Sequence, residues 1–427
     1  MPLVPCHFNS MPLDLPAIRS RFPALQRQSQ GRPIAFFDGP AGSQVPQSVV
    51  DAISLALIDT NANCGAVFPT SQNSDLMLAE SRQAVADLLG TTDPDTIAFG
   101  ANMTSLTLAA SRAISKHWKP GDEIIVSQLC HDANVTPWVL AARDAGVTVH
   151  SIPFRLEDCT LQLERYHELL SPRTKLVAIG LASNATGTIN PVAEVVHAAK
   201  AVGALTYVDA VHYAPHGLID VEALGCDFLV CSAYKFFGPH VGVMWGRREL
   251  LESIRPYKLR PSPDTLPGRW MTGTQNHEGI AGVRAAIDHI ASLGIPSGII
   301  PPVSQRRAAI KTAFATITSY EQELSRRFLR GLRELPALRI WGITDESQLH
   351  QRVPTFSVTH AKLTPHEMAV ALWDRGIQAW CGNHYALPFT EAAGLEPNGT
   401  LRLGALHYNT EEEVDRAIDG LREIVQS

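Results

Sequence analysis

From about Asp95 to Gly246 short β-rich apolar runs alternate with segments of helical spacing, the pattern of a sheet whose parallel strands are joined by crossover helices. The strand runs are Thr96–Gly100, Glu123–Ser127, Val147–Phe154, Lys175–Ala182, Leu205–Asp209, Phe228–Ser232 and Val241–Trp245. Between them Thr104–Lys116, Asn134–Ala145 and Val192–Val202 carry apolar residues on one helical face, rich in alanine and suited to packing on a sheet. This predicts an α/β core, doubly wound around a mostly parallel seven-stranded sheet.

The rest of the chain has a different rhythm. After Gly294 the stretch Ile295-Pro-Ser-Gly-Ile-Ile-Pro-Pro302 reads as an irregular crossing, and Arg306–Leu335 as a long, arginine-rich amphipathic helix. The tail alternates again: Leu338–Trp341 and Val353–Val358 predict strands, Pro365–Arg375 and Glu411–Val425 helices. We expect a large domain over 46–300 and a smaller α+β domain over 301–427. Residues 1–45, dense in proline and poor in regular pattern, are expected to form an arm on the small domain.

The chain has 427 residues, 45% hydrophobic and 18% charged, with a formal net charge of -6. That is the composition of a folded globular protein, and the mild acidic balance argues against a nucleic-acid partner, which needs a basic face. The seven cysteines are scattered without CxxC pairs or zinc-like spacing, so neither a disulfide framework nor a metal is expected. No basic-then-apolar leader opens the sequence and no run is long enough to span a membrane, which predicts a cytoplasmic protein.

In an open α/β sheet, ligands gather outside the carboxyl ends of the strands, so the polar residues that follow each apolar run are the ones to weigh. Lys235 closes the run Phe228–Ser232 and is followed by Gly238-Pro239. The chain has eight lysines against twenty-eight arginines, and few stand in so apolar a setting. Apolar surroundings disfavour the ammonium form and leave a nucleophilic amine able to form a Schiff base; the plainer reading is a snorkelling surface lysine. Asp209, also at a strand end, can keep a pyridine nitrogen protonated, or can simply cap a helix. His212, three residues on, reads more readily as a packed core histidine than as a catalytic one. Asn184 and His131 stand at two further strand ends, and Phe99-Gly-Ala-Asn-Met-Thr-Ser105 leads from a strand through a polar turn into a helix, offering backbone N–H groups to a phosphate. One chain thus supplies a phosphate cradle, a flat ring, an amide, a carboxylate and an amine in order, the parts of a pyridoxal-phosphate site.

On these motifs the sequence resembles fold-type I pyridoxal-phosphate enzymes of the class V aminotransferase group, closest to the cysteine desulfurase/selenocysteine lyase branch. The likeness runs from Phe37-Asp-Gly-Pro-Ala41 to Tyr408-Asn-Thr-Glu-Glu412. It implies that Lys235 carries pyridoxal 5'-phosphate and moves the Cα proton, that Asp209 pairs with the ring nitrogen, that His131 stacks on the ring, and that Asn184 lies beside its phenolic oxygen. Asn102, Met103 and Ser232 match phosphate-binding positions, and His212 and Tyr234 the cofactor's surroundings. Thr274 resembles a residue that reaches the phosphate of a neighbouring subunit, which implies a homodimer with shared sites. Arg402 matches the arginine that grips the substrate carboxylate, with Ala41 and Tyr385 also on the substrate side.

Departures bear on the reaction. Where desulfurases of this branch place the cysteine that takes the substrate's sulfur, this chain has Tyr385. Cys381 and Cys64 are possible displaced thiols, though both suit ordinary packing. The resemblance implies an enzyme that holds an α-amino acid as an external aldimine and carries it through a Cα carbanion to lyase-type chemistry, β-elimination or cleavage of a C–S or C–C bond. Desulfuration through Cys381 or Cys64, transamination, epimerisation and a non-catalytic scaffold are the alternatives.

Overall fold

A computed structural model describes residues 13–426. The strand runs form one sheet of seven: β1 (Ile97–Gly100), β2 (Glu123–Ser127), β3 (Thr148–Ile152), β4 (Thr174–Gly180), β5 (Leu205–Asp209), β6 (Phe228–Ser232) and β7 (Gly242–Gly246). Their spatial order is β1-β7-β6-β5-β4-β2-β3, with β7 alone antiparallel to its neighbours. Every residue of β2, β6 and β7 is buried, as expected of strands covered on both faces, and this is why they read as unbroken apolar runs.

Side chains alternate between two cores. Phe228, Val230 and Tyr207 pack with Leu106 and Ala110 of α1 (Met103–Ile114) and Trp138 and Ala142 of α2 (Thr136–Ala145). Leu229, Cys231 and Val208 pack on the other side with Val195 and Ala199 of α3 (Val192–Ala201) and Ile287 and Ile290 of α4 (His277–Ser292). Strand register brings Gly180 beside Asp209, Asp209 beside Val230, and Ser232 beside Gly242. One end of the sheet therefore carries the polar residues singled out above.

The long helix α5 (Val303–Arg333) begins directly after Pro301 and Pro302 and enters two cores. Ala309, Ile310, Ala313, Phe314 and Ile317 join the core beside the large sheet, whereas Leu324, Phe328, Leu329 and Leu332 join a separate cluster. That cluster lies under a second sheet of β8 (Leu338–Trp341), β9 (Thr355–His360), β10 (Trp380–Gly382) and β11 (Thr400–Gly404), ordered β8-β9-β11-β10 and antiparallel throughout. Leu401 and Leu403 of β11 face α6 (Pro365–Trp373) and α7 (Glu411–Gln426) in this cluster. Alternation then puts Thr400 and Arg402 on the opposite face, toward the large sheet, where Arg402 Nη1 donates to the carbonyl of Asn184 at 2.8 Å.

The amino-terminal stretch is more regular than its sequence suggests. Residues 1–12 lie outside the described residues; beyond them come a short helix, Leu15–Ser20, a 3-10 turn, Pro23–Gln26, and a small hairpin pairing Gln28–Ser29 with Arg32–Pro33. Pro16 and Pro23 occupy first-turn positions, where the missing N–H costs nothing, so these prolines start helices rather than break them. Ala35–Phe36 adds a parallel strand to Ile377–Gln378, and Phe37 packs edge-on against Phe328 with ring centroids 5.2 Å apart. Ile18, Phe22 and Ile34 join the large-sheet core instead.

Candidate active site

All the residues expected to hold the cofactor except Thr274 line one cavity: Asn102, Met103, His131, Asn184, Asp209, His212, Ser232, Tyr234 and Lys235. They come from the ends of β1, β2, β4, β5 and β6, the arrangement that sheet topology favours for a ligand site.

Lys235 lies in the 3-10 turn Ala233–Lys235 after β6 and is buried. Its Nζ donates to the carbonyl of Pro40 and stands 4.8 Å from the centroid of the Tyr234 ring. Burial, reinforced by the Arg402 cation and opposed by Asp209 and Asp38, lowers its pKa from 10.5 to about 7. The amine is thus close to half neutral at physiological pH, and the snorkelling alternative does not hold: the side chain points inward.

Asp209 is not a helix cap, since turns follow it; its Oδ1 accepts from the Val211 N–H at 2.8 Å. Burial raises its pKa to about 6 against the pull of that N–H and of Lys235. A buried carboxylate with one backbone donor and, among the described residues, no ion-pair partner is held ready for a cationic group.

At the phosphate-like end, Asn102 caps α1 by accepting from Ser105 N at 2.8 Å, in a reciprocal capping box. Met103 N–H donates to Ser232 Oγ at 3.0 Å, which leaves the serine's own hydrogen free to donate. Gly242 makes this packing possible, because a Cβ there would lie 2.4 Å from the Asn102 carbonyl carbon. Thr104 also lines the cavity.

His131 accepts the Ala133 N–H at Nδ1, 3.0 Å, so the neutral ring carries its hydrogen on Nε2. Burial first, then Lys235 and Arg402, lower its pKa to about 4. His212 is buried, its Nε2 3.1 Å from Thr355 Oγ1, and is held well below the usual histidine range by burial and by His216. Asn184 donates through Nδ2 to the His384 carbonyl at 2.8 Å, while its Oδ1 is buried without a partner among the described residues.

Of the residues expected near the substrate, Arg402 is fully enclosed. Besides its bond to Asn184 it has a buried Nε with no partner among the described residues, and burial draws its pKa down to about 9. Ala41 belongs to the loop that roofs Lys235, its N–H bonded to the Asp38 carbonyl at 2.7 Å. Tyr385 lies near-parallel to the His131 ring, centroids 5.5 Å apart and planes at 14°. Thr274 is exposed in the coil before α4, outside the cavity of this chain.

Neither alternative thiol lines the cavity. Cys64 Sγ sits 3.9 Å from His277 Nε2, and partial burial with neighbouring Asp75 pushes it up to about 11, away from the thiolate. Cys381 is half-buried, 3.9 Å from His366 Nδ1 on the helix side of the small sheet.

Three residues escaped the sequence reading. Asp38 sits close enough to Arg402 and Lys235 to feel both charges, has a buried Oδ1 without a partner among the described residues, and is raised by burial to about 6; the Phe37-Asp-Gly-Pro-Ala41 motif contained it. His384 anchors the turn beside Asn184 through Thr400, 2.9 Å. Trp380 pairs with Arg402 across the β10–β11 ladder, so its indole stands on the arginine's face of the sheet; nothing in its sequence neighbourhood signals that pairing.

A buried strand-end amine, a strand-end carboxylate and a helix N-terminus thus surround one cavity on this sheet order, as the sequence led us to expect of a pyridoxal-phosphate-dependent enzyme. Comparison with known proteins agrees. The sequence profile of the family described as Aminotransferase class-V matches residues 35–298 and 306–417, and the chain belongs to that family of pyridoxal-phosphate-dependent enzymes. A probable cysteine desulfurase of Vibrio cholerae is 31% identical over 97% of this chain and 99% of its own length. The cysteine desulfurase of Serratia proteamaculans is 29% identical over 97% and 99%. Among solved structures, the apo cysteine desulfurase of Thermococcus onnurineus NA1 superposes with a TM-score of 0.85 at 27% identity, covering 98% of this chain and 99% of that one. The fold is the fold-type I architecture expected from the sequence.

Proposed function

We propose that the chain binds pyridoxal 5'-phosphate through Lys235 and breaks the bond to a β-substituent, in the first place a carbon–sulfur bond, in an α-amino acid. The observation that carries this reading is Lys235, a buried amine lining the same cavity as Asp209. The residues present fit the cofactor. Asn184 Oδ1 and Arg402 Nε are buried polar atoms lacking partners among the described residues, and the Ser232 hydroxyl and the N-terminus of α1 form a donor-rich end suited to a phosphate.

When bound, pyridoxal phosphate supplies a carbonyl that joins amines covalently and a ring that accepts electrons. Asp209 holds a proton on the ring nitrogen. Arg402 binds the substrate carboxylate through the guanidinium edge it does not spend on Asn184. Lys235 Nζ would remove the Cα proton, and that proton would balance the one the β-substituent carries away as it leaves, an exchange its lowered pKa permits near pH 7. His131, neutral at that pH, offers a flat face and an Nε2–H without adding charge.

Two copies of the chain are proposed to share their sites. Leu55, Leu57, Ile58, Val67, Phe68 and Leu76 are exposed on or between the helices Gln47–Asp59 and Pro69–Leu89, an apolar surface of the kind that a partner covers. His277, just after Thr274, touches Cys64 within that region, so Thr274 would adjoin the partner. Free cysteines throughout the described residues suit a cytoplasmic setting.

A second reading, cysteine desulfuration, is favoured by the relatives' names. Against a sulfur-carrying thiol stand Tyr385 at the expected position and the placement of Cys64 and Cys381 outside the cavity. Product analysis with L-cysteine separates the two. Sulfide, pyruvate and ammonia, formed with uptake of water and kept in Cys64→Ser and Cys381→Ser, support elimination. Alanine with sulfur left on either cysteine refutes it.

A further inference from the structure

His384 and Tyr385 adopt consecutive left-handed conformations, φ 56° and 55°, which crowd the Cβ of any residue but glycine. The turn is held from several sides. Asn184 Nδ2 donates to the His384 carbonyl at 2.8 Å, the Asp132 N–H donates to the Tyr385 carbonyl at 2.6 Å, and the Tyr385 N–H donates to Asn383 Oδ1 at 3.1 Å. Yet Tyr385 is 73% exposed in the chain, so burial does not account for a large ring where glycine or asparagine would carry the backbone with less strain. Among the described residues its ring contact is His131, nearly parallel at 5.5 Å.

The bond from Ala133 N to His131 Nδ1 fixes one nitrogen but leaves the imidazole able to tip about that axis. A parallel ring on one face removes that freedom. We propose that Tyr385 is a positioning residue, a fixed plate from the small domain that holds the His131 imidazole at the angle the cavity needs. The same turn steadies Asn184 through His384, so one small-domain segment sets two cofactor-facing side chains. This rests on the reading of the cavity as the cofactor site.

The test compares Tyr385→Gly, Tyr385→Asn and Tyr385→Phe in the full chain, with two readouts. In the cofactor-free protein, the ring C–H signals of His131, assigned by their loss in His131→Gln, should be displaced by the neighbouring ring in wild type and Tyr385→Phe. In Tyr385→Gly and Tyr385→Asn they should lose that displacement and broaden. In the loaded enzyme turning over L-cysteine, kcat should fall at least tenfold in the glycine variant with KM changed less than threefold, and the phenylalanine variant should recover most of the loss. The melting temperature of the glycine and asparagine variants should not drop, because the left-handed strain is relieved. Unchanged His131 signals in Tyr385→Gly, or a kcat within twofold of wild type, overturns the proposal. A phenylalanine variant as impaired as the glycine variant also overturns it, since the hydroxyl rather than the plate would then act. A wild type that takes up no cofactor would sink the functional reading and leave the cofactor-free readout standing.

Discussion

Lys235 should make the cofactor-free protein less stable than it could be. Its pKa falls from 10.5 to about 7 on folding, and each unit corresponds to roughly 1.4 kcal/mol. Between those two values the unfolded chain binds more protons than the folded one, so this group makes stability rise with pH. The cost is fully present below about pH 7, on the order of 5 kcal/mol as an upper figure, and vanishes above pH 10.5. Lys235→Met keeps the length and apolar stem without the charge. It also strips the Pro40 carbonyl of its donor, a loss of about 1–3 kcal/mol. The net expectation at pH 7 is a variant more stable than wild type by about 2 kcal/mol, with the advantage shrinking and reversing as pH approaches 10.5. Urea unfolding of the cofactor-free proteins from pH 6.5 to 10.5 measures it. A variant less stable than wild type at pH 7, or a gap that does not change with pH, refutes the reasoning that the amine is dry.

Arg402→Lys replaces a fork by a point charge at a site with an open Nε; kcat/KM for an amino-acid substrate should fall about 10–100-fold, corresponding to about 1.5–3 kcal/mol of charge-assisted bonding. Steady-state kinetics against substrates with and without the α-carboxylate would expose the opposite result, an equal loss for both. Gly242→Ala drives a methyl group to within 2.4 Å of the Asn102 backbone, where no side chain can move aside; we expect a loss of about 1–3 kcal/mol in stability and cofactor affinity weakened about tenfold, read by urea unfolding and cofactor titration. Wild-type behaviour in both would show that the phosphate-like turn is looser than its packing implies.

The large sheet was legible because its strands are buried on both faces, so composition alone marks them; β2, β5 and β6 begin and end where the apolar runs do. The residues Lys235, Asp209, Asn184 and His131 were legible because strand ends concentrate in space what the sequence scatters. Other features lay beyond local pattern. The short elements between Leu15 and Phe36 span too few residues to display a period, and Pro16 and Pro23 gave a breaking signal where they serve as first-turn residues. Trp380 and Arg402 meet only through strand register across residues 380–402. The parallel rings of His131 and Tyr385 lie 254 positions apart in the chain. Asp38 depends on the amino-terminal loop folding back over Lys235, a contact made through the Pro40 carbonyl rather than through any side-chain pattern.

The most direct measurement is where a covalent mark appears. Protein incubated with pyridoxal 5'-phosphate, reduced with borohydride, digested and mapped by mass spectrometry should carry one phosphopyridoxyl group, on Lys235, with loss of the visible absorption band on reduction. Modification spread over surface lysines such as Lys116 and Lys362, with Lys235 unmarked, would contradict the account.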